Sequence, residues 1–246
     1  GRFMSSGNRD PVPFFDWSTL YLERAQDYRS IIDATASAGA FILQSAVAEF
    51  EAALARYVGV KHAIGVSDCT NAMLLGLRAA GVAPGDEVIL PSHAFIAAAQ
   101  AIHFSGAVPV PVDITDDDGW LIDPSAVRAA ITSRTRAIMP VHVNGRLCRM
   151  EEIRDIADAH GLLVFEDAAQ ALGARLGGTC AGAFGLWGAF SFYPGKNLGA
   201  CGEAGAVTTD NESVARTVAA VECPHTVSCQ PTVSSMIEQN TCPISE

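Results

Sequence analysis

AIGVSDCTNAMLLGLRAAGVAPGDEVILPSHAFIAAAQAIHFSGAVPVPV, residues 63–112, carries the fold class of the chain. AIGV (63–66), EVIL (87–90) and VPVPV (108–112) are short apolar runs of strand length. Between them, Thr70 to Ala80 and Ala94 to Ser105 have helical spacing, ended by Gly81 and Gly106. Strand, helix, strand with glycine-marked turns implies βαβ units. The alternation continues outward. Towards the C-terminus come a helix Pro124 to Ile131, the strand AIMPV (137–141), a helix Met150 to His160 ended by Gly161, and the strand LLVFED (162–167). LWGAF and AGAVTT then read as two more buried strands. Towards the N-terminus, Leu20 to Ala38 has helical spacing, broken at Gly39. A second helix from about Ser45 to Tyr57 puts Val47, Phe50, Ala53, Leu54 and Tyr57 on one face, with Gly59 as its cap. The expected fold is α/β, with a mostly parallel central sheet and helices on both faces. Residues 1–13 read as a disordered leader, and the patch Pro13 to Trp17 as the start of the ordered part.

The bulk numbers agree with a packed domain. Of the 246 residues 49% are hydrophobic and 17% charged, far from a disordered composition. Net charge is −11 and no basic run occurs, which argues against nucleic acid or an anionic membrane surface as partner. No apolar run reaches membrane-spanning length and no signal-peptide core is present, so the expectation is a cytoplasmic protein. The 7 cysteines are scattered and include no C-x-x-C, which speaks against a disulfide framework and against a metal site.

In a parallel sheet, ligands collect at the C-terminal ends of the strands, which directs attention to four junctions. Ser67-Asp68-Cys69-Thr70-Asn71 follows a strand and opens a helix. Its N–H groups and hydroxyls suit an oxyanion such as phosphate, or it is a plain N-cap. After EVIL, Phe95 begins the next helix, where it could lie over a planar ligand or be a core aromatic. Glu166-Asp167 ends a buried strand with Gln170 close behind. A buried aspartate needs a cationic or hydrogen-bonding partner, and a protonated pyridine nitrogen would supply one; the other reading is a helix N-cap. The fourth is SFYPGKNLGACGEAG (191–205), which sets Lys196 between a Pro-Gly turn and a glycine-spaced loop, with a buried strand on either side. A buried lysine loses its proton readily and serves as an amine nucleophile; the alternative is a solvated loop lysine. His142 and Asn144, after AIMPV, are a weaker signal, since a strand-end histidine is more often structural.

Taken in order, VPFFD, GAFILQSAVAEFEAALARYVGVKHAIGVSDCTNAM, PGDEVILPSHAFIAAAQAI, GAVPVPVDI, PVHVNG, EDAAQALGA and SFYPGKNLGACGEAGAV resemble the DegT–DnrJ–StrS family of sugar aminotransferases. These are pyridoxal-phosphate enzymes of the aspartate-aminotransferase fold, and the resemblance runs from Val12 to about Val221. It implies that Lys196 forms the internal aldimine with the cofactor and later moves a proton. Asp167 would pair with the pyridine nitrogen, Gln170 with the ring hydroxyl oxygen, and Phe95 would stack on the ring. Ser191, Thr70 and the backbone around Cys69 would hold the phosphate, with His93 and Asn144 near the substrate. The implied reaction moves an amino group, usually from glutamate, to a keto group of a nucleotide-linked deoxysugar, in amino-sugar or secondary-metabolite biosynthesis. Dehydratase relatives have histidine at the lysine position, so Lys196 favours a transaminase. Family members are typically homodimers that share residues across the interface.

Two departures are small. Cys69 stands where the family usually has glycine, and Ala204-Gly205 where it has a Gly-Gly pair. The larger one is residues 222–246, with three cysteines, three prolines and no Lys or Arg, where the family continues into a small C-terminal domain. The expectation is a cofactor-binding large domain over 14–221 and an atypical tail. A frame shift, a truncation and a divergent ending are its three readings. The alternative function is accordingly a truncated, inactive cofactor-binding or regulatory partner.

Overall fold

The computed structural model describes residues 16–41, 45–116 and 119–222. The expected leader, the patch at 13–15 and the atypical tail after Glu222 lie outside the described residues. By internal contacts the chain forms two units, 1–48 and 49–246. The first holds α1 (Trp17–Glu23), α2 (Ala25–Ser37) and the start of α3 (Ser45–Val58). The helix expected over Leu20 to Ala38 is thus two helices. They break at Arg24, whose N–H bonds back to Tyr21 O in a tightened turn. Gly39 ends α2 as expected, at φ +65°.

The second unit is built on a seven-stranded sheet of order β1-β9-β8-β5-β4-β2-β3. The strands are β1 (His62–Val66), β2 (Glu87–Pro91), β3 (Val108–Val112), β4 (Thr135–Ile138), β5 (Leu163–Asp167), β8 (Trp187–Ser191) and β9 (Gly205–Thr209). Pairs β2–β3, β2–β4, β4–β5 and β5–β8 are parallel, while β9 runs antiparallel to both β8 and β1. Six strands therefore point one way and β9 alone is reversed, which is the mostly parallel sheet read from the alternation. A two-stranded hairpin, β6 (Arg175–Leu176) with β7 (Thr179–Cys180), sits outside it. Its Gly177-Gly178 turn, with φ of 55° and 89°, is the kind that only glycine adopts easily.

Alternation along each strand divides the core between two faces. Val88, Leu90, Ala137, Met139, Phe165, Ala189 and Val207 face α4 (Cys69–Ala79), α5 (Ala97–Phe104) and α8 (Glu212–Glu222). Ile89, Ile138 and Val164 face α6 (Pro124–Ala130) and α7 (Met150–His160), and Phe190 and Ala206 on the same side meet α3. The helices show why they pack so. In α7, Met150, Ile153, Ile156 and Ala157 recur at helical spacing and are buried, and Gly161 closes the helix in the left-handed conformation. Burying each of its large apolar side chains contributes about 1.5–3 kcal/mol. On the other face α4 lies close enough to the sheet that a Cβ on Gly76 would come within 2.6 Å of the Trp187 ring. Trp187 itself stacks on Phe165, with centroids 4.6 Å apart.

Both edges of the sheet lack free donors at particular positions. Val108 N–H bonds to Asp86 O and Ser92 N–H to Val112 O, so the even-numbered positions of β3 face β2. Pro109 and Pro111 fall on the outer side, where their missing donors cost nothing. At the far edge, the outward Gly65 N–H of β1 is taken by the Glu51 carboxylate of α3 (2.7 Å).

Candidate active site

The sheet register brings the expected site residues to one edge. Val66, Gly205 and Ser191 lie side by side across β1, β9 and β8, and Asp167 pairs with Ala189 two residues before Ser191. Gly205 lets β9 press against the start of α4: a Cβ there would stand 2.4 Å from Asp68 C and 2.7 Å from Cys69 N. At that helix start, Asp68 is an N-cap, its Oδ1 accepting the Asn71 N–H (2.9 Å), and it also accepts the Ser67 hydroxyl (3.2 Å). The plain-cap reading is therefore correct for Asp68. The N–H groups of Cys69 and Thr70 lie ahead of any intrahelical acceptor, as the first amides of a helix do.

Asp167 is 4% exposed. Its Oδ1 accepts the Ala169 N–H (3.0 Å), a local turn rather than a helix cap, since residues 168–174 form no helix. Burial raises its pKa, against the pull of that N–H, of His142 and of Lys196. A carboxylate so placed is stabilised by any cation delivered beside it. Cys69 packs partly buried against the core. Burial pushes its thiol well above the usual range, Asp167 adds to this, and Lys196 opposes it. Asp167, Lys196 and Cys69 are thus within electrostatic reach of one another.

Lys196 is only partly buried, which corrects the expectation of a buried amine. It follows the tight turn Tyr193-Pro194-Gly195, with its N–H bonded to Tyr193 O (2.8 Å). The loop is pinned at its base by Phe192 N–H to Ala204 O and Ala200 N–H to Phe192 O, both 2.8 Å. Lys196 lines a pocket of about 360 Å³ together with Asn144, Gly145, Gln170, Gly195 and Asn197. Asn144, at φ +54°, donates its N–H to Gln170 Oε1 (2.7 Å). That bond fixes the Gln170 amide, so its NH2 end remains to donate to a further acceptor.

Phe95 departs from one of its two readings, the core aromatic, and from its expected place in the helix. It precedes α5 instead of starting it, and at 71% exposed it is no core aromatic. His93 meets Trp120 edge to face at 5.9 Å, and Trp120 holds φ +51°, rare for a bulky residue. Sequence reading missed the partners of Glu166. This fully buried carboxylate receives His142 Nε2 (3.1 Å) and the N–H groups of Gly182 (2.8 Å), Phe184 (2.6 Å) and Gly185 (2.8 Å). His142 is structural, as its strand-end position suggested. Among the described residues no cluster of His, Cys, Asp or Glu could hold a metal ion, and no helix is long and apolar enough to cross a membrane.

Comparison with known proteins extends these observations. The profile of the DegT/DnrJ/EryC1/StrS aminotransferase family matches residues 23–237, past the Val221 at which the motifs fade. The dTDP-3-amino-3,4,6-trideoxy-alpha-D-glucose transaminase of Streptomyces venezuelae is 46% identical over 213 residues, covering 86% of this chain and 56% of its own. The crystal structure of S. venezuelae DesV in complex with a ketimine intermediate superposes with a TM-score of 0.83 at 42% identity, over 89% of this chain and 59% of that one. The structure of NtdA from Bacillus subtilis with bound cofactor PMP gives a TM-score of 0.81 at 36% identity, over 88% and 49%. The chain thus spans about half the length of the relatives it matches.

Proposed function

Since the chain belongs to the DegT/DnrJ/EryC1/StrS aminotransferase family, we propose that it is the large domain of a pyridoxal-phosphate-dependent transaminase acting on a keto group of a nucleotide-linked deoxysugar, with glutamate as amino donor. The carrying observation is the buried Asp167 carboxylate within electrostatic reach of Lys196, which itself lines a pocket with Gln170. The residues fit the cofactor. When bound, pyridoxal phosphate supplies an aldehyde that condenses with amines and a ring that delocalises electrons from the neighbouring carbon. Lys196 offers the amine to hold that aldehyde and is the group to carry a proton between donor and acceptor carbons. Asp167 keeps a proton on the ring nitrogen, and Gln170 donates its NH2 to the ring hydroxyl oxygen. The Cys69 and Thr70 N–H groups with the Ser191 hydroxyl hold the phosphate at the start of α4. Phe95, exposed in the single chain, covers the ring, and His93 and Asn144 lie on the substrate side. A second copy of the chain completes the site in a homodimer. The Streptomyces relative, named for a dTDP-linked aminosugar, supports the substrate class.

The test is a titration of the purified protein with pyridoxal phosphate. A visible absorption band should appear, vanish in Lys196→Ala, and bleach on adding L-glutamate. No band in the unmutated protein overturns the proposal; a band that glutamate leaves unchanged overturns the transaminase part.

A further inference from the structure

The buried carboxylate of Glu166 is not used by the chemistry above, yet it joins the end of β5, the His142 segment and the 182–185 loop, and the first two lead directly to the pocket residues Gln170 and Asn144. Glu166 and Asp167 are neighbours on β5, so their side chains leave the sheet on opposite faces. Asp167 faces the side of α4, and Glu166 the side of the 182–185 loop. That loop lies flat under β8, the strand leading to Ser191 and the Lys196 turn: a Cβ on Gly188 would stand 2.4 Å from Gly182 Cα. Three of its N–H groups converge on the Glu166 oxygens, and Thr208 Oγ1 anchors it further through Gly182 O (2.8 Å). The fourth donor is His142. Its Nδ1 accepts the Cys148 N–H (3.3 Å), which leaves Nε2 to donate to Glu166. His142 N–H bonds to Asp167 O and Asp167 N–H to Pro140 O, both 3.0 Å, so this histidine's backbone sets where β5 ends. Two residues on, Asn144 fixes the Gln170 amide.

We infer that Glu166 is a positioning residue for the cofactor ring: through His142 and the 182–185 loop it holds Asp167 and Gln170 at the height and angle at which they meet the ring. This rests on the cofactor reading above. A carboxylate with four donors is suited to the task, because charge-assisted bonds are short and directional, and a neutral amide can accept at only one of its two ends. The start of α4 and Gly205, which form the phosphate cradle together with Ser191, have no hydrogen bond to Glu166, and that part of the cradle is independent of it.

That independence gives the test. Binding of pyridoxal phosphate by equilibrium dialysis and of inorganic phosphate by phosphorus NMR are measured for the full chain and for Glu166→Gln, well below the melting temperature. The expected result is at least a roughly ten-fold weaker affinity for pyridoxal phosphate, a loss of about 1.4 kcal/mol, with phosphate binding unchanged. Parallel weakening of both probes, or no change in either, overturns the inference and marks Glu166 as purely structural. A wild-type chain that takes up no cofactor overturns the underlying reading as well, so the two failures are distinct. Should Glu166→Gln fail to fold, His142→Gln keeps the three backbone donors and should show the same selectivity in smaller degree; parallel weakening of both probes, or no change in either, in that variant has the same overturning force.

Discussion

Asp167 is a residue whose surroundings work against its own charge. Its native pKa is raised above the ordinary 3.8 by burial. The sign follows: below that ordinary value both folded and unfolded chains hold the proton. As pH rises the unfolded chain ionises first, and stability falls until pH passes the raised native value. The cofactor-free protein should therefore lose resistance to urea from about pH 4 upward, and Asp167→Asn should flatten that part of the profile. A slope shared by both proteins would assign it to other groups. Asp167 was legible in the sequence because a carboxylate closing an apolar strand is costly without a partner. Lys196 was only half legible: the turn residues around it marked its loop, while the apolar strands on either side suggested a fuller burial than the side chain has. Glu166 was not, although it is adjacent. Its donors come from residues 182–185, which carry no hydrophobic period, and His142 comes from another strand end. Trp120 and its left-handed backbone were also invisible, since nothing in the side chain's chemistry announces such a conformation.

At the scale of elements, the contact of β9 with the start of α4 shapes the proposed phosphate cradle. It depends on Gly205, whose added Cβ would meet only backbone, at 2.4 Å, 2.6 Å and 2.7 Å. Backbone cannot swing aside as a side chain can, so Gly205→Ala must move β9 or α4. The expected cost is about 1–3 kcal/mol in stability, together with weaker binding of phosphate and of pyridoxal phosphate alike. Chemical denaturation and the same two binding measurements check it. This parallel loss is the converse of the selective loss expected for Glu166→Gln. The alternation of strands and helices was readable because each element closes with a glycine or a cap, as at Gly81, Gly106 and Gly161. Starts were less readable: α5 begins at Ala97 and not Ala94, because Ser92 to Ile96 turn over the strand end before the helix can form. The β6–β7 hairpin is too short to leave a period in the sequence.

At the scale of the whole molecule, the α/β class and the two covered faces followed from the βαβ rhythm, since a strand apolar on both sides demands helices on both sides. The reversal of β9 did not follow, because a buried antiparallel strand has the same apolar pattern as a parallel one. The closure of the sheet edges has a consequence for self-association. With Pro109 and Pro111 along one margin and Glu51 spending its carboxylate on the Gly65 amide at the other, neither border offers a template onto which a foreign strand could zip. Replacing both prolines with valine would restore donors to the exposed margin of β3 while keeping its apolar character. Under thermal stress the double variant should scatter light earlier than the parent and stain with a cross-β dye. Unchanged onset and staining would mean that the prolines do not guard this border. The guarded border leaves the rest of the surface free to vary: the helical faces can change in sequence without the sheet itself becoming a seed for fibres.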